Sequence, residues 1–343
     1  KISIMSRIIV SILSQHSVPN FLFLKEMEGQ YDEYLFITTD EVDRQRRGEQ
    51  LEEALKVKTE VGYISIDANN YLSAMQTLQK EWPERLGDEY IVNLTGGTKM
   101  MSLAVHDFFA SKKTIFYYVP IGTNTYYNLS TGELHEIKYR VNLHEYFTLY
   151  GIKYNSIKEA ELKHTETEAT ALYNDVKQNH FYLPPKLKYA QKAQTPDLKA
   201  YYSGQWFEQF SYYCLKRALG LHEDDIAISL KIYRDKNTTN DNELDVAFMY
   251  DNALYVIECK VTMWGLEGPK ETIEEYLYKL AAISKDFGLQ VRPYIFTLHQ
   301  ISKMDKNIRD NLTKRCRILG IRNIASGKSF DNIKSVLKNQ INL

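Results

Sequence analysis

The sequence predicts an α/β protein built as two domains, and three observations carry that reading. Between residues 5 and 145, short runs rich in β-branched and aromatic residues alternate with helical segments, the pattern of a parallel, doubly wound sheet. From residue 201 the alternation resumes in another order: a helix, three strands of which the last two form a hairpin, then helices around a further strand. The chain's 343 residues also exceed the usual size of one hydrophobic core. The expected division is 1–145, a connector over 146–200, and 201–343.

Taken in order, Arg7 to Leu13 reads as a buried strand, and Pro19 to Glu28 as a short helix with proline near its first turn. Tyr34 to Thr38 is a strand, and Val42 to Lys58 is one charged helix with Asp40 as its cap. Gly62 to Asp67 is a strand, followed by a helix from Tyr71 to Trp82 with Leu72, Met75 and Leu78 on one face. Glu89 to Leu94 is a strand that runs into Thr95-Gly96-Gly97-Thr98-Lys99 and a helix from Met100 to Ala110. Thr114 to Val119 is the next strand, and Thr125 to Lys138 is a hairpin turning at Ser130-Thr131-Gly132. Within 146–200, Ser156 to Asn179 is polar and reads as a solvent-bridging helix, broken by Pro184-Pro185. A small winged-helix-like fold is the alternative there.

The second domain is expected to run through a helix from Gly204 to Leu219, a strand from Ile226 to Tyr233, a loop to Asn242, and the hairpin. A helix from Lys270 to Phe287, a strand from Val291 to Leu298, a helix from Met304 to Leu319 and a terminal helix near Phe330 to Ile341 follow.

Composition excludes several classes. With 43 Lys+Arg against 44 Asp+Glu the chain is not a polycation. The charge is unevenly spread: residues 1–145 hold 15 basic against 20 acidic groups, and residues 301–343 hold 10 against 3. The basic C-terminal stretch is suited to phosphate backbone, or equally to a solvated helix. Cys214, Cys259 and Cys316 show neither metal spacing nor a disulfide framework, consistent with a reducing cytoplasm. The apolar run from Ile8 to Leu13 is too short for a membrane span and lacks a cleavage site. A start at Lys1 rather than Met reads as trimmed or engineered.

The stretch from Glu243 to Lys260 carries the chemistry. If Asp251 and Asn252 form a two-residue turn, Tyr250 lies opposite Ala253, Asp245 opposite Glu258, and Glu243 opposite Lys260. All four charged residues then share one face. Opposed carboxylates repel, and a divalent cation between them removes the penalty. Lys260 is placed to orient or stabilise a metal-bound water. The structural reading of the same residues is a solvated hairpin with Lys260 paired to Glu243. Against it, Glu258-Cys259-Lys260 ends an apolar strand, where unpaired charge is costly.

In the first domain the polar turns Ser14-Gln15-His16, Thr38-Thr39-Asp40 and Thr95 to Lys99 all follow strands, where ligands bind in such sheets. Gly96 and Gly97 let backbone N–H groups approach an anion at a helix N-terminus, and Thr95, Thr98 and Lys99 add donors. The turn matches neither a Walker A loop nor a dinucleotide-binding fingerprint.

Two resemblances follow from these residues. Asp245 with Glu258-x-Lys260 resembles the PD-(D/E)xK nuclease core, a restriction-endonuclease-like α/β fold, with Leu244 where the family's proline often stands. That resemblance implies Mg²⁺ or Mn²⁺ held by Asp245 and Glu258, with Glu208 in Gly204-Gln-Trp-Phe-Glu-Gln-Phe as a third carboxylate and Lys260 assisting the attacking water. Asn93-Leu-Thr-Gly-Gly-Thr-Lys-Met-Met101 resembles the signature of CARF domains, Rossmann-like sensors of CRISPR-associated proteins. It implies a two-fold homodimer that binds cyclic oligoadenylate, expected as the tetra-adenylate, through Ser14, Gln15, His16, Thr38, Thr39, Asn93, Thr95, Gly96, Gly97, Thr98, Lys99 and Met100.

The pairing resembles the ligand-activated effector nucleases of type III CRISPR immunity, cytoplasmic enzymes acting on DNA or RNA with no membrane partner. Two other readings fit the same residues: a ligand-responsive transcriptional regulator that binds DNA through 146–200, and a ring nuclease that degrades the cyclic ligand with Thr95, Thr98 and Lys99.

Overall fold

Arg7–Ile12 (β1) is buried at every position after Arg7, because it lies inside a parallel sheet covered on both faces. The computed structural model describes residues 6–59, 61–82, 88–181, 193–233, 242–261 and 273–338. It divides the chain into two units, Lys1–Ile152 and Lys153–Leu343.

In the first unit β1 is followed by Val18–Glu26 (α1), Glu33–Thr38 (β2), Asp40–Arg44 (α2), Arg47–Leu55 (α3), Val61–Ser65 (β3) and Tyr71–Glu81 (α4). Then come Glu89–Asn93 (β4), Lys99–Ala110 (α5), Thr114–Tyr118 (β5), Thr125–Asn128 (β6), Leu134–Glu136 (β7) and Leu143–Leu149 (α6). The strand order is β3-β2-β1-β4-β5-β6-β7, parallel through β5 and antiparallel in the β6–β7 meander. The order reverses between β1 and β4, which makes their C-terminal ends the switch point. Ile8, Val10, Ile12, Val92, Ala104 and Phe109 belong to the core on one side of the sheet.

Three expectations are corrected here. The charged helix over 42–58 is two helices, since the chain turns at Arg46 (φ 57°). That turn brings Gly48 against Tyr63, where a Cβ would lie 2.6 Å from the ring. The cap is Thr39, whose hydroxyl accepts from the Val42 N–H at 3.4 Å; Asp40 is already helical. The core face of α4 holds Ala74 and Leu78, while Leu72 is 69% exposed.

The second unit contains Lys153–Ile157 (β8), Glu166–Gln178 (α7), Pro196–Ala200 (α8), Trp206–Leu219 (α9), Ile226–Tyr233 (β9), Asn242–Tyr250 (β10) and Ala253–Lys260 (β11). Ile273–Ser284 (α10), Val291–Thr297 (β12), Lys306–Leu319 (α11), Asn323–Ser326 (β13) and Ile333–Lys338 (α12) complete it. Its sheet has the order β13-β12-β11-β10-β9-β8, antiparallel from β8 to β11 and parallel from β11 to β13. Residues 146–200 therefore do not behave as one connector. β8 is an edge strand of this sheet, and Ala169, Tyr173 and Val176 of α7 join the core with Phe207 and Phe210 of α9. Pro184-Pro185, the loop from 234 and residues 270–272 and 339–341 of the expected helices lie outside the described residues. No helix among the described residues is long and apolar enough to cross a membrane.

The turn after β4 is the tightest point of the first unit. A Cβ at Gly96 would lie 1.8 Å from the Ile12 carbonyl oxygen, which already accepts from Asn20 Nδ2 at 2.8 Å. Backbone cannot yield there as a side chain would. Gly96→Ala is expected to cost about 3 kcal/mol, read as a lower thermal midpoint; an unchanged midpoint would show that the β1–β4 approach is looser than described.

Candidate functional site

The hairpin turns on Asp251 and Asn252, both left-handed (φ 53° and 59°), as a type I′ turn requires. Tyr250 faces Ala253 and Val246 faces Ile257, the register expected from the sequence. Beyond that pair the strands part. Glu243 and Leu244 remain on β9, opposite Lys231 and Leu230. Glu258, Cys259 and Lys260 instead pair with Ile295, Phe296 and Thr297 of β12. The expected pairs Asp245/Glu258 and Glu243/Lys260 thus lie beyond the ladder, and Glu243 is exposed. The β9 ladder also steps over Asp245, from Leu244/Leu230 to Val246/Ile228. The residue it passes there is Ser229, a non-glycine at φ 48°.

Charged side chains fill the fork. Asp245 Oδ2 accepts from the Cys259 N–H at 2.7 Å. Lys260 Nζ lies 2.7 Å from Glu258 Oε1 and 3.7 Å from Asp245 Oδ2. It also sits 5.1 Å from the centre of the Tyr276 ring. Lys279 Nζ stands 3.9 Å from the same Glu258 oxygen, and Glu258 is only 3% exposed. Glu208, in the first turn of α9, faces this group. Burial and then the Asp245 charge push its carboxyl up to about 8. Burial, followed by Glu258, pushes Asp245 up to about 6. For Lys260, burial works against the ammonium, but Asp245 and Glu258 outweigh it and hold the group above its ordinary range.

These shifts test the fit of a divalent cation. Burial first, and the Asp245 charge second, favour the protonated form of Glu208 near neutrality. A hard cation with oxygen ligands would offset that charge. Among the described residues no three His, Cys, Asp or Glu side chains are already gathered as a metal cluster; Asp245 and Glu258 converge on Lys260 Nζ instead. Lys279 and Tyr276 lie within the helix expected from Lys270 to Phe287. Both approach the charged group because α10 follows the hairpin back across it, a tertiary event without a local signal.

In the first unit the residues singled out from the sequence lie at the ends of β1, β2 and β4, which are adjacent strands. Several of them hold the turns together. Asn93 is fully buried, and its Nδ2 donates to Ser11 Oγ and Asn20 Oδ1, both at 3.1 Å. Its Oδ1 accepts from the Thr95 N–H and hydroxyl. Thr95 Oγ1 accepts from the Val119 N–H at 2.7 Å, and the Thr98 hydroxyl donates to the Ala68 carbonyl. Thr38 donates to Asp43 at 2.6 Å. The Ser14 hydroxyl meets the backbone of His16. Gln15 donates to Glu41 at 2.8 Å and is exposed, as are Gly97, Lys99 and Met100. His16 Nδ1 is buried with no hydrogen-bond partner. Burial, then Arg47, lowers its pKa and keeps the ring neutral. Arg47 escaped notice in a stretch that read as a charged helix face.

Comparison with known proteins agrees with both halves. Residues 8–146 match the family of the Card1 CARF domain, and residues 197–343 match the Card1-like endonuclease domain. A CARF domain joined to an endonuclease domain is the class that fold and site define. The chain belongs to the Card1-like proteins, in which a CARF domain is joined to an endonuclease domain.

Among solved structures, protein VC1899 from Vibrio cholerae superposes with a TM-score of 0.77 at 17% identity, covering 96% of this chain and 97% of that one. Can2 from Sulfobacillus thermosulfidooxidans, in complex with cyclic tetra-adenylate, gives 0.71 at 20% identity over 96% and 98%. A type III CRISPR defence DNA nuclease activated by cyclic oligoadenylate gives 0.55 at 18% identity, over 85% of this chain and 45% of that one. Among curated protein sequences none matches significantly.

The Glu208 shift has a sign that stability measurements read. Its carboxyl titrates near 8 when folded against an ordinary 4.5, so its stabilising contribution is complete below about 4.5 and is lost as the pH rises through about 8. In metal-free buffer Glu208→Gln should match the wild type near pH 4.5 and exceed it by about 2 kcal/mol at pH 9. Denaturant unfolding across that range checks it; a constant gap would mean the group is solvated.

Proposed function

We propose that this protein is a homodimeric, divalent-metal-dependent endonuclease switched on by cyclic oligoadenylate, the tetra-adenylate being the expected ring, and that it cuts DNA or RNA, single-stranded or nicked. The observation that carries the proposal is the β10–β11 fork, where Asp245 and Glu258 converge on the Lys260 ammonium and the buried Glu208 feels the charge of all three. Mg²⁺ or Mn²⁺ held by Asp245 and Glu258, with Glu208, would supply an activated water and offset charge on the phosphate. Lys260 orients that water and stabilises charge developing on the phosphate oxygens. The Cys259 N–H keeps Asp245 turned into the fork, and Lys279 offers a second cation for the strand. No motif for reading base edges stands out, so sequence preference is expected to be weak.

In the first unit the ring would lie over the ends of β1, β2 and β4, with Gln15, His16, Gly97, Lys99 and Met100 facing it. Asn93, Thr95 and Thr98 would hold the turns that present these groups. Their hydroxyl and amide protons are spent on protein partners, which favours holding the ring over cleaving it. Can2, a structural relative, is complexed with cyclic tetra-adenylate, and that supports the choice of ligand. A two-fold ligand calls for a two-fold pocket. Leu72 of α4 with Met100 and Leu103 of α5 are 69%, 43% and 52% exposed on two helices packed together, an apolar face suited to a second copy. Activation then requires that the ligand bind the cleaving state better than the idle one, so affinity and activity are linked.

Cleavage of single-stranded RNA and of single-stranded and supercoiled DNA with Mn²⁺, with and without cyclic tetra-adenylate, tests the reading. Activity should need both additives and fall at least about 10³-fold in Asp245→Asn and Glu258→Gln; undiminished cleavage by either variant would refute the assignment. Leu72→Asp with Leu103→Asp should shift the protein to a monomer in light scattering and abolish ligand-dependent cleavage, whereas an unchanged mass would place the dimer contact elsewhere.

A further inference from the structure

A cavity of about 280 Å³ opens on the flank of Glu208, within the second unit. We propose that it receives one unstacked nucleobase of the substrate strand, next to the scissile phosphate; this rests on the nuclease reading above. Four observations lead there. Two polar atoms on its lining residues are buried with no partner: the hydroxyl of Tyr201, 4% exposed, and Oε1 of Gln209, 5% exposed. Leaving such a group unpaired is costly, and native proteins keep few of them without reason. Both atoms are closed to solvent; once an occupant displaces the lining around them, a phenol and an amide together match the donor and acceptor edge of a base. One wall is aromatic, with His164 stacked on Tyr201 at 3.6 Å between ring centres and 18° between planes, so a flat heterocycle has a surface to lie against.

Glu208 itself lines the cavity while its carboxyl responds to Asp245 and Glu258. An occupant there lies against the charged fork. The backbone around the cavity is irregular as well. Tyr201–Gln205 is a π-helical turn that leads into α9, and Ser229, another lining residue, is the left-handed position opposite Asp245. π-turns and left-handed non-glycines concentrate at functional sites. The space is wide enough for a purine and far too narrow for a paired duplex, which selects a splayed, single-stranded base.

A single-abasic scan tests this on the full-length protein with cyclic tetra-adenylate and Mn²⁺. Short oligonucleotides with one cleavage site, as DNA and as RNA, carry one abasic residue at each position in turn. One position beside the cut should lower kcat/KM at least ~5-fold. Tyr201→Phe combined with Gln209→Leu should lower cleavage of the intact strand by a similar factor and remove the further loss at the abasic position. A scan without a sensitive position, or an abasic loss that persists in the double variant, would mean that the cavity holds water only.

The same scan read as binding affinity to the Glu258→Gln protein separates the two readings. A sensitive position in binding, with no cleavage by the wild type, would keep the base site and remove the nuclease assignment. Asp245-dependent cleavage without any sensitive position would do the reverse.

Discussion

Burying several carboxylates beside a single close ammonium is unfavourable unless the surroundings are arranged for it, and much of the second unit answers to that constraint. Opposed rungs of a regular ladder would hold Asp245 and Glu258 at contact distance in a low-dielectric setting. The strands separate there instead, one staying with β9 and the other with β12. Asp245 takes the Cys259 N–H that the opened ladder leaves without its strand partner, and Lys260 bridges the two carboxylates. Burial, with the Asp245 charge behind it, raises the pKa of the Glu208 carboxyl beside them. The site is a departure from sheet regularity that the apolar core on either side can hold, with Phe207, Val246, Phe248 and Ile257 all fully buried.

The first unit works under a different constraint, the close approach of two backbone turns at the switch point. Gly96 has no room for a side chain beside Ile12, and the buried amides of Asn93 and Asn20 bond the ends of β1 and β4 together. Polar groups that a sequence reading assigns to a ligand are therefore partly structural. A buried amide network of this kind fixes where the exposed Gln15, Lys99 and Met100 emerge, and a ligand meets a surface whose turns are already set.

How much of this was legible in the sequence differs by scale. The hairpin register was readable because Asp251-Asn252 leaves a short menu of turns and side chains alternate strictly. The parallel order of the first sheet followed from strands separated by helices. The fork was not readable: nothing local tells Glu258 to pair with β12 while the strand that carries Asp245 stays with β9. The break at Arg46, a left-handed arginine inside a helical pattern, is likewise imposed by packing against Tyr63. The edge strand β8 was lost inside a polar stretch because an edge strand of a half-exposed sheet needs little apolar content. Its burial alternates only between exposed and half-buried positions. Lys279 and Tyr276 reach the site through the path of α10, contacts that no spacing encodes.

The Asp251-Asn252 turn has a bearing on how such a protein can change over time. Surface turns ordinarily accept insertions and deletions with little harm. This one lies six residues from Asp245 along β10, about 20 Å of extended chain. Adding or removing a single residue there slips one strand against the other and turns a whole row of side chains to the opposite face. The carboxylate would then point into the core and a buried apolar residue into the fork. Drift in length is closed to this turn, and its role would be easy to miss in a scan confined to charged residues.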